Sequence, residues 1–195
     1  MLRRIPEACR LISLTYMAGI LFFTVLRVIL FVSHISLADS IPSHFIVKAF
    51  QIGFAFDSLI LCYLLALPLI IFSVVSFTKL NPAVFYKGFF IFILITFSIC
   101  LLIACADLPW FNHQQTRLTI AALQWTNTPA MMFGVMFQDI KNYPFIIILV
   151  ILIILFYFLL KRIIRGSFAQ PEIKQSRLFK TGCFILLAIL LFIGM

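Results

Sequence analysis

Residues 52–76 read IGFAFDSLILCYLLALPLIIFSVVS, an apolar run interrupted by a single charged side chain, Asp57. At ~1.5 Å of rise per residue such a run crosses a hydrocarbon core about 30 Å thick. A water-soluble helix of this length needs a polar face, and this stretch has none. It is therefore read as a transmembrane helix, and four further runs are judged by the same criterion. Residues 11–33, 88–106 and 144–160 each have the length and character of a span, and 181–195 forms a fifth, incomplete one. The expected fold is an all-α, polytopic membrane helical bundle of about five spans.

Composition excludes the soluble alternatives. Of 195 residues 64% are hydrophobic and 11% charged, whereas soluble domains carry roughly half apolar and about a quarter charged residues. Too few charges remain to cover a globule in water, and too many large apolar groups are present for a disordered chain. The basic start at Arg3, Arg4 and Arg10 and the cleavage-site-like triplet Ser36-Leu37-Ala38 resemble a secretory signal. The 11–33 run, however, is longer than a signal core of ~7–15 residues and contains Arg27, so it is read as an uncleaved span.

The net charge of +9 would raise nucleic acid as a partner in a soluble protein, but no stretch interleaves basic and aromatic residues in the manner of a nucleic-acid surface. Its distribution reports orientation instead. Arg3, Arg4 and Arg10, Lys79 and Lys87, and Lys161, Arg162, Arg165, Lys174, Arg177 and Lys180 fall on one side of the spans. Lys48, Arg117 and Lys141 fall on the other. By the positive-inside rule the amino terminus is cytoplasmic. Trp110, Trp125 and Tyr143 beside the outer connection, and Tyr16, Tyr86 and Tyr157 near inner span ends, suit the headgroup level.

The outer connection includes LTIAALQWTNTPAMMFGVMFQ at 118–138, apolar but broken by Asn127, Thr128 and Pro129. Pro129 suits the first turn of a helix capped by Asn127 or Thr128, and two interfacial helices with Trp125 as an anchor are expected here. The alternative is a re-entrant or sixth span, in which the central polar residues would need partners in lipid.

Polar groups inside the spans are the first candidates for function. Arg27 lies six residues before the outer end of the first run and Asp57 five after the outer start of the second. At matched depths on consecutive antiparallel helices they are expected to form an intramembrane ion pair, either as a helix clamp or as a headgroup or proton site. No metal site is expected. His34, His44 and His113 show no ligand spacing, and the acids Asp39, Asp107 and Asp139 are scattered. Cys9, Cys62, Cys100, Cys105 and Cys183 contain no C-x-x-C pair, so neither a disulfide framework nor a redox motif is read. No phosphate loop, nucleophile elbow or inverted repeat is visible, and Pro68 is a possible kink in the second span.

An Arg late in the first span, GFAFD at 53–57, DLPWFNHQQTRL at 107–118 and KNYP at 141–144 occur in an order that resembles the amino-terminal membrane domain of the lipoteichoic acid synthase family. These are bacterial cell-envelope phosphoglycerol transferases of the alkaline phosphatase and sulfatase superfamily. The resemblance implies five helices that anchor an outward-facing catalytic domain with a threonine nucleophile and a divalent metal, usually manganese, beyond residue 195. It implies no catalytic residue within the chain, which on this reading is not itself an enzyme. Asp107, Phe111, Arg117 and Lys141 are its expected headgroup or domain-docking contacts, and anionic phospholipid its expected partner. The short run at 181–195, about 22 Å of helix, agrees with a chain that continues outward. The alternative is a self-contained small integral membrane protein, either a transporter subunit or a partner in an envelope complex.

Overall fold

The computed structural model describes residues 7–33, 42–77, 82–114 and 143–168, together with Thr181, Gly182, Ile185, Leu187 and Ile189. All of them except Pro42 are helical. The chain order is α1 (Glu7–Ser33), α2 (Ser43–Phe77), α3 (Pro82–Gln114) and α4 (Tyr143–Phe168). Each carries a stretch long and apolar enough to cross a membrane: Ala8–Ser33, Ser43–Val75, Val84–Leu108 and Tyr143–Gly166. Large apolar side chains face outward along them, among them Met17 at 67% exposure, Ile70 at 65% and Phe158 at 60%. In water such a surface would aggregate, whereas lipid solvates it, and the protein is a multi-pass membrane protein. The interfacial helices expected at 118–138 lie outside the described residues. So does most of the fifth run, of which five helical positions are described.

Every helix from α1 to α4 extends beyond its expected span: α1 begins at Glu7 rather than residue 11, α3 at Pro82 rather than 88, and α4 runs to Phe168 rather than 160. Two further extensions are at the start of α2 and at the end of α3. The second helix starts at Ser43 rather than at residue 52. Its first turns carry exposed His44, Lys48 and Gln51, which a hydropathy reading assigns to the preceding connection. The Phe45 amide donates to the Pro42 carbonyl at 3.0 Å and closes its first turn. At about 52 Å, α2 is longer than a hydrocarbon core is thick. The third helix runs to Gln114 rather than ending at residue 106, so the polar segment DLPWFNHQ at 107–114 is helical. Pro109 removes one amide donor from that last stretch, and a single missing bond does not end a helix whose neighbouring bonds persist. Likewise α2 continues through Pro68.

The described residues group into two compact units. The first contains those up to Thr96 and those from Tyr157 onward. Here α1 packs antiparallel along α2, with Phe31 meeting Phe50 edge-on at 5.7 Å, Arg27 meeting Asp57 and Gly19 meeting Leu61. Buried Leu11, Thr15, Ala18, Phe22 and Leu26 recur every three or four residues on α1, and Ser58, Leu61, Leu65, Leu69 and Phe72 do so on α2. Gly19 sets the closeness of the two helices, because a Cβ there would lie 2.5 and 2.9 Å from the Leu61 methyl carbons. The Thr15 and Thr24 hydroxyls each donate at 2.8 Å to the carbonyl four residues back and so need no partner in lipid. Phe72 of α2 touches Tyr86 and Phe89 of α3, with ring centroids 5.3 and 5.5 Å apart. Phe90 meets Tyr157 of α4 at 5.7 Å.

The second unit spans the described residues between Phe97 and Phe156. It holds the stacked pair Phe97 and Phe156, with centroids 4.1 Å apart and both side chains fully buried, and Leu101, Cys105, Leu108 and Leu152 are buried as well.

Candidate functional site

The polar site of the first unit grows from the spacing of Phe50, Gly53 and Asp57. Three and then four residues apart, they lie on one face of α2, and that face meets Arg27 of α1. Arg27 Nη2 donates to Asp57 Oδ2 at 2.6 Å, with side-chain exposures of only 10% and 13%. Arg27 Nη1 makes a longer contact, 3.4 Å, with the Phe50 carbonyl, whose second lone pair accepts alongside its helical bond.

Gly53 allows this arrangement. A Cβ on Gly53 would lie 2.6 Å from both Nε and Nη2 of Arg27 and in collision with the guanidinium carbon, so the guanidinium lies directly on the glycine backbone. The glycine serves here as an absent side chain rather than as a flexible backbone. One residue beyond Asp57, Ser58 Oγ is buried with no hydrogen-bond partner. The site thus holds a neutralised, nearly buried ion pair with an orphaned hydroxyl on the adjoining residue. A charge in this environment persists only when paired, because neither ion can recover its water of hydration.

The ion pair expected between Arg27 and Asp57 is therefore present, although the depth-matching behind it assumed a shorter second helix. The antiparallel register brings them together even with α2 beginning at Ser43. Asp107 lies in the second unit near the end of α3, half-buried and engaged in an interaction of its own. Phe111 is on the last turns of α3 and its side chain lies outside the described residues, as do Arg117 and Lys141 altogether. Sequence reasoning missed the parts played by Gly53 and the Phe50 carbonyl. The available signal was a glycine one helical turn before an intramembrane aspartate.

Among the described residues no group of three or more His, Cys, Asp or Glu side chains could hold a metal ion. Cys9, Cys62, Cys100 and Cys105 form no disulfide. Comparison with known proteins finds no matching family model, curated protein or solved structure. What the site does must be argued from its own chemistry. An Arg and an Asp held against a glycine backbone at low dielectric can lock two helices in register, or can release the guanidinium to a competing anion such as a lipid phosphate.

Proposed function

We propose that the chain is the membrane-anchoring domain of an outward-facing, lipid-dependent transferase of the phosphoglycerol type, and that it performs no catalysis itself. The observation that carries this reading is the meeting of Arg27 with the GFAFD segment at 53–57 in one site. These are two of the features on which the resemblance to the lipoteichoic acid synthase family rests. An anchoring role suits a site whose buried ion pair is charge-neutral and joins two helices. The Lys and Arg asymmetry supports a cytoplasmic amino terminus, which sends a chain leaving a fifth span to the outer face; the resemblance implies that the membrane is a bacterial inner membrane. The threonine nucleophile and the manganese or other divalent metal would belong to a domain in that position. Asp107, Phe111, Arg117 and Lys141 would meet lipid headgroups or that domain.

The test is to sequence the transcript past the codon for Met195. A frame that runs on for several hundred residues into a domain with a threonine nucleophile and acidic and histidine metal ligands supports the reading. A stop at the next codon rejects it in favour of a self-contained membrane protein. In the longer protein, Arg117→Glu is expected to lower lipid turnover without lowering expression.

A further inference from the structure

The end of the first unit remote from the Arg27 and Asp57 pair is cationic, and beyond setting orientation its charges have no part in the ion pair or the anchoring role. Arg10, one turn into α1, donates from Nη2 to the Gly166 carbonyl at 2.9 Å and so holds the start of α1 against the last turns of α4. Lys161 lies 5.4 Å from the centre of the Tyr157 ring and 3.5 Å from its hydroxyl. Arg162 and Arg165 are exposed on the same two turns. Lys87 of α3 is exposed one turn before Phe90, which packs on Tyr157.

Like charges three and four residues apart on a helix repel, and the helix C-terminal carbonyls offset only part of this. The only carboxylates among the described side chains are Asp57 and Asp107. Of these only Asp57 belongs to this unit, and it is about 20 residues, or ~30 Å of helix rise, from the far end of α2. The compensating anion at this end is therefore not among the described side chains.

The arrangement of α4 indicates the class of that anion. Phe158, Arg162 and Arg165 follow one another at four and then three residues, on one helix face. Phe158 is 60% exposed. An apolar ring thus precedes two guanidinium groups at the place where the apolar run of α4 gives way to charge. A phospholipid has the complementary pattern, an acyl chain followed by a phosphate, and guanidinium groups bind phosphate oxygens through paired N–H donors. We propose that this end binds an anionic phospholipid, with its phosphate on Arg162 and Arg165 beside Arg10 and an acyl chain against Phe158. The site is separate from the Arg27 pair and stands whether or not a transferase domain follows.

The experiment is native mass spectrometry of the purified chain in mild detergent. It is titrated with phosphatidylglycerol, with phosphatidylcholine and with glycerol phosphate, at low and high salt. Phosphatidylglycerol is expected to bind at least tenfold more tightly than either of the others and to weaken as salt rises. The double variant Arg162→Gln/Arg165→Gln removes two exposed charges and leaves the Arg10 bond to Gly166 intact. It is expected to lose about thirtyfold in affinity for phosphatidylglycerol and none for phosphatidylcholine. Equal binding of the two lipids by the unaltered chain, or an unaffected double variant, overturns the proposal. Glycerol phosphate binding as tightly as phosphatidylglycerol would show a soluble-anion site and equally overturn it. The unaltered chain's lipid and salt series decides the matter even if the variant fails to fold.

Discussion

Removing either member of the Arg27 and Asp57 pair should cost far more than removing both. The two side chains meet at 2.6 Å with 10% and 13% exposure, so each shields the other's charge from lipid. Asp57→Asn or Arg27→Met alone strands the partner, and breaking a buried pair in this way costs ~3–5 kcal/mol. Replacing both by apolar groups of similar volume removes the desolvation penalty together with the attraction, and such exchanges are often neutral within ~1 kcal/mol or stabilising. A double-mutant cycle on these positions is therefore expected to give a coupling of at least ~2 kcal/mol, above the ~0.5 kcal/mol scatter of independent sites. The assay is reversible unfolding in mixed micelles, followed by circular dichroism as the denaturing detergent fraction is raised. Exchange of the two residues, Arg27→Asp with Asp57→Arg, sharpens the test, because the swapped guanidinium would arise from α2 itself and lose its seat on Gly53. It should restore only part of the stability. Additive single effects, each below ~0.5 kcal/mol, would refute the reasoning by showing that both ions are solvated.

Gly53→Ala should disturb the same pair without touching either charge. The added methyl must displace the guanidinium, at an overpacking cost of ~1–3 kcal/mol in the same unfolding assay. That cost should largely vanish in an Arg27→Met background, where the space is vacated. Gly19→Ala should destabilise through its contact with Leu61, by ~1–3 kcal/mol for the single change. Pairing it with Leu61→Ala should recover part of the loss of each, which a thermal melt of the four proteins would show as non-additivity.

The legible parts of this fold are those in which hydropathy and charge act alone. Residues 144–160 announce a span because nothing in them needs water, and Arg27 and Asp57 stand out because each is the single charge in its apolar run. Helix boundaries are less legible, since polar residues are tolerated on a helix that has left the hydrocarbon core. His44, Lys48 and Gln51 therefore look like a connection but belong to α2. Residues 107–114 continue α3 although Pro109 and their polarity favour a break. Gly53 carries no signal until the position of Arg27 is known, because its meaning is the space it leaves to a residue 26 positions earlier. The Arg10 bond to Gly166 spans 156 positions and follows from helix packing that no local pattern encodes.

Orientation in the membrane is the most direct test of an outward-facing anchor. In a chain with its native cysteines replaced by serine, Lys48→Cys and Arg165→Cys place single thiols at exposed positions, one on the first turns of α2 and one on the last turns of α4. A membrane-impermeant maleimide added to intact cells is expected to label position 48 at once and position 165 only after lysis. Labelling of position 165 in intact cells, with position 48 protected, would place the amino terminus outside and contradict the outward-facing anchor.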